Sequence, residues 1–214
     1  DFTGADLRAN PNMHLFEAFL AWTETGAEGP WRELAAGQAR LAMTRLIDTD
    51  TGAVGEFFGP GWTAPPAPAD RRVEPGHQFE WAWLLMRWSQ IAGDAAALAT
   101  ALWLIELGER AGVDPERNVA VNALDGDLGP TDLGARLWPQ TERLRAHALA
   151  AAVTGDGACW DPALKAAESL RRFLTVETPG LWRDSLESDD LTAPASSLYH
   201  IVSAVLQLDE AAGG

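Results

Sequence analysis

Hydrophobic positions recur at intervals of three and four residues along most of the chain, and few β-branched residues interrupt them. Because an α-helix has 3.6 residues per turn, this spacing puts the apolar side chains on one face of a helix. The sequence therefore predicts an all-α fold with helices of ordinary length. The pattern marks about seven helices, over residues 11–25, 30–48, 76–92, 94–112, 138–154, 161–177 and 195–210.

Segments rich in glycine and proline separate the predicted helices. The longest of them, residues 49–75, carries so many of both that we expect no regular structure there, and a loop of this length usually has a function. Two short stretches, residues 118–124 and 180–186, are candidates to pair as a small ribbon. A length of 214 residues is sufficient for a sizeable core, and we expect a single domain over residues 1–214.

A proline followed closely by a polar residue recurs near the start of alternate helices. Proline suits the first helical turn, so the recurrence marks the same end of each of these helices. If alternate helices run parallel, these ends form one rim, and three of the four histidines gather there. His147 lies in mid-helix instead, and we interpret it as structural or superficial. The polar positions are 14, 77, 140 and 200, at intervals of 63, 63 and 60 residues.

Charge and cysteine content exclude several classes of protein. The net charge is −15 and the few basic residues are scattered, which argues against a nucleic-acid partner. No apolar run approaches the roughly 20 residues of a membrane span. The single cysteine, Cys159, excludes an internal disulfide and a multi-cysteine zinc site, and it predicts a cytoplasmic location. The chain begins with Asp1 rather than methionine, so we expect a processed, trimmed or truncated start.

Tryptophan is unusually frequent, with ten tryptophans and one tyrosine. A tryptophan ring packs well in any core, and it is also the usual platform for the C–H face of a sugar ring. Taken alone, the count is explained more readily by core packing than by sugar binding.

Two histidines are each followed by a glutamate one helical turn later, His14 by Glu17 and His77 by Glu80. Either pair alone is typical of a buried, hydrogen-bonded contact, but both together on one rim favour acid/base chemistry. A carboxylate-bridged dimetal site is the alternative. It is disfavoured because bundles usually carry Glu-x-x-His, whereas the order here is reversed, so we expect no metal.

Imidazole titrates at about pH 6.5, so two histidines can take and return a proton at neutral pH. Other chemistry has little support in the sequence. Cys159 lies in a connector away from the rim, and no Gly-x-Ser-x-Gly nucleophile motif occurs. The chain also has no P-loop and no dinucleotide-binding glycine pattern, so we expect no cofactor.

Four segments at these positions carry a family resemblance. They are NPNMHLFEA at 10–18, EPGHQFEWAWLL at 74–85, LWPQTE at 137–142 and PASSLYHI at 194–201. Together and in this order they resemble the N-acylglucosamine 2-epimerase superfamily, which includes cellobiose 2-epimerases and bacterial mannose and sulfoquinovose isomerases. The last two segments are more similar to the mannose isomerase branch, often labelled mannose-6-phosphate isomerase.

The resemblance implies an (α/α)6 barrel and chemistry at the carbon next to the carbonyl of an opened sugar. It makes His77 and His200 the acid/base pair that moves the C2 proton through a cis-enediolate. Return of the proton to C1 gives aldose–ketose isomerisation, and the mannose–fructose type is favoured; return to the opposite face of C2 gives a 2-epimer. The alternatives are an N-acylglucosamine 2-epimerase or related epimerase, and a catalytically incomplete carbohydrate-binding fragment.

The resemblance also implies the residues that bind the substrate, a monosaccharide or a sugar phosphate. Glu80 would hold His77 or a sugar hydroxyl, and Glu17 would be a structural partner of His14. Arg71 and Arg72 could meet a phosphate or sulfonate, although a solvated loop pair explains them more readily. Trp81 and Trp83 would support the pocket. The implied substrate-binding residues are His14, Glu80, Trp138, Gln140, Glu142 and Trp182.

The repeat length bears on how much of such a barrel is present. Six helix pairs at about 62 residues each need roughly 370 residues, so the chain resembles the C-terminal part of the fold, a little over half of the ring. A missing N-terminal half, another chain or a second copy would complete it. Exposed apolar helix faces would favour a homo-oligomer, and we expect the chain alone to be catalytically weak because one wall of the pocket is absent.

Overall fold

The computed structural model describes residues 7–189, 191 and 194–213. Its helical class matches the prediction, and the predicted helix bounds are close to the observed ones. The predicted second helix ends in a π-helical turn, Ala42–Leu46. The start of the chain, on which the expectation of a truncated terminus rests, lies outside the described residues. The described helices are α1 (Ala9–Glu24), α2 (Trp31–Leu41), α3 (Pro75–Ala92), α4 (Ala95–Gly112), α5 (Leu137–Thr154), α6 (Trp160–Leu174) and α7 (Ala195–Gly213).

Local sequence signals set the junction between α3 and α4. Pro75 occupies the first turn of α3, where its missing N–H costs nothing. Gly93 ends α3 with φ of 71°, in the left-handed region that glycine adopts without strain. The next residue, Asp94, caps α4 by accepting hydrogen bonds from the backbone N–H groups of Ala96 and Ala97, both at 3.0 Å.

The helices form two rows. The odd-numbered helices lie side by side in the order α1, α3, α5, α7, and each of α2, α4 and α6 packs against the odd-numbered helix that precedes it. Helices α3 and α5 lie in the middle of the first row and are buried on almost every side. This arrangement is the one that an (α/α)6 ring requires, with an inner and an outer layer of helices.

The outermost helices of the inner row, α1 and α7, carry large apolar side chains that stay about half exposed in the described part of the chain. In α7 only Ser197 and Ala204 are buried. Leu206 and Val205, on the same helix, keep 56% and 50% of their surface exposed. Trp22 on α1 is 51% exposed. These two helices are the open edges of the row.

Three short antiparallel ribbons connect the helices. The strands are β1 (Leu7–Arg8) with β2 (Phe57–Phe58), β3 (Val113–Asp114) with β4 (Val119–Ala120), and β5 (Ala123–Leu124) with β6 (Pro130–Asp132). The predicted ribbon between residues 118–124 and 180–186 is wrong. Residues 119–120 and 123–124 pair with β3 and β6, which closes shorter loops, and residues 184–186 lie instead beside residues 135–137, where Ser185 bridges Arg136.

The long connector 49–75 is more regular than predicted. It contains β2 and two 3-10 turns, Pro60–Trp62 and Pro68–Asp70. Its Val54 is held by the amide of Gln78, which accepts a hydrogen bond from Val54 N at 2.8 Å and donates one to Val54 O at 3.0 Å. The connector is therefore fastened to the first turn of α3. Among the described helices, none is both long and apolar enough to cross a membrane.

Candidate active site

The N-terminal ends of α1, α3, α5 and α7 meet around one cavity of about 480 Å³. The predicted rim is therefore present, and three of the histidines line it. The cavity is lined, among others, by His14, Glu56, His77, Glu80, Trp138 and His200.

His77, in the first turn of α3, is buried and held on both ring nitrogens. Its Nδ1 lies 2.8 Å from Glu56 Oε1, and its Nε2 lies 3.2 Å from Asn10 Nδ2. Burial alone would lower the pKa of His77, but the charge and hydrogen bond of Glu56 outweigh it and raise this pKa to about 9. His77 is therefore a ring whose orientation is fixed by a residue of the long connector.

His200, in the second turn of α7, is held in the same way by a different helix. Its Nδ1 lies 2.8 Å from Oε1 of Glu142, a fully buried carboxylate of α5. Burial opposes protonation of the ring, but the hydrogen bond and charge of Glu142 prevail and raise the pKa of His200. Each of the two histidines thus uses Nδ1 to bind a carboxylate, and Nε2 of His77 contacts Asn10.

The indole of Trp138 lies next to both histidine rings. Its ring centroid lies 4.9 Å from that of His77 and 6.0 Å from that of His200. A Cβ atom at position 76 would lie only 2.4 Å from the Trp138 ring, so Gly76 is what allows the indole to reach the start of α3. Trp138 therefore lines the cavity, with an aromatic surface between the two histidines.

Glu80 is a buried carboxyl with an unusual environment. Its Oε1 has no hydrogen-bond partner within the described residues and lies 3.9 Å from His14 Nδ1. Burial and the neighbouring Glu142 carboxylate raise the pKa of Glu80 to about 7. The expectation that Glu80 holds His77 is wrong, because Glu56 and Asn10 occupy the nitrogens of that ring. Glu80 is free to meet a substrate hydroxyl or to keep a proton.

His14 lies at the mouth of the cavity and is half exposed, at 49% of its side chain. Its Nδ1 lies 3.8 Å from Glu17 Oε2, and this carboxylate raises the pKa of His14. One donor atom from each of His14, Glu17 and Glu80 falls within 4.8 Å of the others, which is close enough to share a metal ion. The other oxygen of Glu17 already binds Arg145 and the Tyr199 hydroxyl.

Arg145 stabilises the floor of the site. Its guanidinium is buried, lies 2.9 Å from Glu142 and 3.1 Å from Glu17, and stacks 3.7 Å above the ring of Trp83. Burial alone would raise the pKa of Glu17, but hydrogen bonds from His14 and Tyr199 and the charge of Arg145 lower it to about 2. Arg145 thus compensates the charge of the carboxylate that holds His200.

Gln140 does not face the cavity, contrary to the prediction. Its buried amide accepts a hydrogen bond from Ala120 N and donates one to Ala120 O, both at 2.8 Å. Gln78 makes the same clasp with Val54, 62 residues earlier in the chain. Glu80 and Glu142 are separated by the same 62 residues. The true internal repeat therefore aligns Gln78 with Gln140, one residue away from the alignment that the histidines suggest.

Three other residues that were predicted to shape or support the pocket do not line the cavity. Glu142 is fully buried and acts through His200 and Arg145 rather than at the cavity surface. Trp182 is packed against the core around α5 and α6, outside the residues that line the cavity. Trp81 is fully buried beside Phe16, with 6.0 Å between the rings. Of the tryptophans near the motifs, Trp138 is the one that reaches the cavity.

The arginines of the cavity mouth were not found by sequence reasoning. Arg71 is committed to the loop, because it binds Asp48 at 3.0 Å and the carbonyl of Pro65 at 2.6 Å. Arg72 pairs with Glu74 at 2.7 Å. The guanidinium groups that line the cavity belong instead to Arg8 and Arg136.

His147 has the structural role that was predicted. Its buried ring lies 2.8 Å from Glu109, which also binds Arg143 at 2.5 Å. Burial alone would raise the pKa of Glu109, but these two partners lower it to about 2. This cluster lies away from the cavity and links α4 to α5.

The fold and the site define a helical protein with a cavity lined by three histidines, and comparison with known proteins gives the family. The sequence profile of the N-acylglucosamine 2-epimerase family matches residues 2–204, and the chain belongs to this family. A mannose-6-phosphate isomerase of Rhizobium meliloti (strain 1021) is 46% identical over 216 residues, which are 95% of this chain and 55% of that protein. A cellobiose 2-epimerase of Bacteroides fragilis is 24% identical over 193 residues, 84% of this chain and 45% of that protein.

Solved structures support the same fold. The crystal structure of a D-mannose isomerase superposes with a TM-score of 0.84 at 23% identity, over 95% of this chain and 56% of that one. The structure of a cellobiose 2-epimerase from Spirochaeta thermophila superposes with a TM-score of 0.80 at 20% identity, over 99% of this chain and 54% of that one. The fold class is thus that of the (α/α)6 barrel, and the chain spans about half the length of the relatives it matches.

Proposed function

We propose that this chain carries the proton-transfer site of a sugar isomerase or 2-epimerase, with His77 and His200 as the acid/base pair. The observation that carries the proposal is the matched geometry of the two rings. Each binds a buried carboxylate through Nδ1 at 2.8 Å, and both line one cavity beside the same indole. A reaction that removes a proton from carbon and returns it needs two such groups near one atom.

These positions support the following reaction. One imidazole removes the C2 proton of the open-chain aldose, and an enediolate forms with negative charge developing on the carbonyl oxygen. A protonated imidazole is the donor for that oxygen, and the raised pKa of His77 keeps it charged at neutral pH. The Trp138 ring would lie against the carbon chain of the sugar, and Glu80 would bind a hydroxyl.

The position at which the proton is returned decides the product. Transfer to C1 gives the ketose, and transfer to C2 on the opposite face gives the epimer. The relative that is 46% identical over 95% of the chain favours aldose–ketose isomerisation of the mannose–fructose type. A 2-epimerase reaction is the second candidate, and the similarity to a cellobiose 2-epimerase supports it. Arg8 and Arg136 at the cavity mouth are suited to an anionic group on the sugar.

The proposal is tested by incubating the chain with mannose, glucose, N-acetylglucosamine and mannose 6-phosphate in heavy water. We expect NMR to show deuterium at C2 of one of these sugars. The sugar that is formed from it, ketose or 2-epimer, identifies the reaction. His77→Ala and His200→Ala should abolish the exchange. A carbohydrate-binding fragment without turnover would keep its affinity for sugar and never exchange the proton. His147→Gln is the matched control, since that ring lies outside the cavity.

We further propose that the chain by itself is a weak catalyst. His14 is half exposed at the cavity mouth, and α1 and α7 carry large apolar side chains that stay about half exposed in the described part of the chain. Water in an open site weakens every electrostatic contact with the developing enediolate. Rapid mannose–fructose interconversion by the isolated monomer would contradict this proposal.

A further inference from the structure

Glu56 is the residue of the long connector that reaches the proposed site. Its backbone is fixed on two sides, because Glu56 O accepts a hydrogen bond from Ala9 N at 3.1 Å and Glu56 N donates one to Arg72 O at 3.0 Å. The neighbouring Val54 is clasped by Gln78. Glu56 is 5% exposed, and it lines both the cavity at the rim and a second cavity of about 240 Å³ within the connector.

The contact between Glu56 and His77 has a defined direction. A carboxylate can only accept a hydrogen bond from the ring, so Nδ1 carries a proton in both the neutral and the charged form of His77. The group at Nε2 imposes no such constraint, because the amide of Asn10 offers an N–H donor or a C=O acceptor according to its orientation. Glu56 therefore decides which nitrogen keeps its proton, and Asn10 adapts to the other.

We propose that Glu56 is the positioning residue of His77: it holds the Nδ1 proton, so that Nε2 is the nitrogen that exchanges a proton with the sugar. This inference rests on the proposed function of His77, but the contact itself does not. The same logic applies to a histidine whose second nitrogen is fixed by a neighbouring carboxylate in other acid/base sites, where loss of the carboxylate reduces activity substantially.

Other charged groups also face His77, and their geometry ranks them below Glu56. Just before α3, Glu74 Oε2 lies 3.9 Å from His77 Nδ1, and Glu80 lies one turn after His77 on α3. His14, on α1, carries the same charge as His77 when both rings are protonated, and this repulsion disfavours protonation of both rings at once. Glu74 is already shared with Arg72 and Arg136. Glu56 is the carboxylate within hydrogen-bond distance of His77.

The decisive experiment follows His77 itself by NMR in the ¹⁵N-labelled chain, with His77→Gln used to assign its signals. In Glu56→Gln the ring should titrate more than about one pH unit lower, because burial then acts without the compensating charge. The proton-exchange rate at C2 should fall by about tenfold or more. The limb of its pH profile that depends on protonated His77 should move in the same direction.

Glu74→Gln is the matched control, with the same chemical change at 3.9 Å instead of 2.8 Å, and it should shift the titration less. Glu56→Asp keeps the negative charge but places it one methylene further from His77, so the pKa of His77 should lie between those of the unmodified chain and Glu56→Gln. Glu56→Asp replaces Glu56→Gln if the glutamine variant does not fold. An unchanged titration of His77 in the Glu56 variant overturns the inference. A shifted titration with no C2 exchange in the unmodified chain supports the positioning contact and overturns the proposed function alone.

Discussion

Arg145 offers the most quantitative test of how the site is held together. Its guanidinium is 2% exposed and lies 2.9 Å from Glu142, which is fully buried, and 3.1 Å from Glu17. Replacement of Arg145 by methionine keeps much of the volume and removes the charge. Two carboxylates are then left without their cation, and one of them holds His200.

The expected loss of stability is large. Removal of one partner from a buried ion pair costs about 3–5 kcal/mol, because the remaining charge is neither hydrated nor compensated. The guanidinium of Arg145 also stacks 3.7 Å above the Trp83 ring, a contact worth up to about 2 kcal/mol when it is desolvated. These contributions overlap, so we expect a loss of about 4 kcal/mol, a factor of roughly 10³ in the folding equilibrium.

Urea denaturation at neutral pH, followed by tryptophan fluorescence, measures the change in the free energy of unfolding. The control is Arg183→Met, which removes an exposed pair with Asp189 and should cost less than about 1 kcal/mol. Adding Glu142→Gln to Arg145→Met should restore part of the stability, since the unpaired buried charge is then removed. A loss below about 1 kcal/mol in Arg145→Met, or no recovery in the double variant, would refute this account of the site.

Three further outcomes are expected. Glu17 and Glu109 have pKa values lowered to about 2 in the folded chain, so each adds up to about 3 kcal/mol to the free energy of unfolding. This stability is complete above pH 4.5 and is lost as the pH falls towards 2. Equal free energies of unfolding at pH 6 and pH 3 would contradict this. Gln140→Leu should cost about 2 kcal/mol or more by urea denaturation, because a buried backbone N–H and C=O lose their partners; an unchanged midpoint would contradict it. We expect the chain to self-associate in sedimentation velocity runs and Val202→Ser with Leu206→Ser to reduce this association, because both side chains are about half exposed on α7; equal association of the variant and the unmodified chain would contradict this.

The sequence predicted the helices because their signals are local. The three- and four-residue period of apolar positions lies within each element, and the prolines at the helix starts mark one rim. Both features depend only on neighbouring residues, and both agree with the structure. His77 and His200 were accordingly placed on one rim, and the family resemblance added Trp138; all three line the cavity.

The predictions that failed depend on the angular position of a side chain around its helix axis and on packing between distant segments. One residue along a helix turns the side chain by about 100°, so aligning the repeat on His77 instead of Gln78 assigned Gln140 to the wrong face. The 62-residue spacing of Gln78 with Gln140 was a usable signal. Glu56 had none, because it lies in a connector without periodicity and its partner is 21 residues away. Its role depends on how the connector folds back over α3.

The central claim is that His77 and His200 move the C2 proton of a sugar, and C2 deuteration in heavy water measures this directly. The four sugars named above are each incubated with the unmodified chain and with the variants His77→Gln, His200→Gln and His147→Gln. Slow deuteration of at least one sugar is predicted, unchanged by His147→Gln and reduced by about 10²-fold or more in the other two. Deuteration that persists in both site variants, or none with any of the four sugars, would contradict the claim.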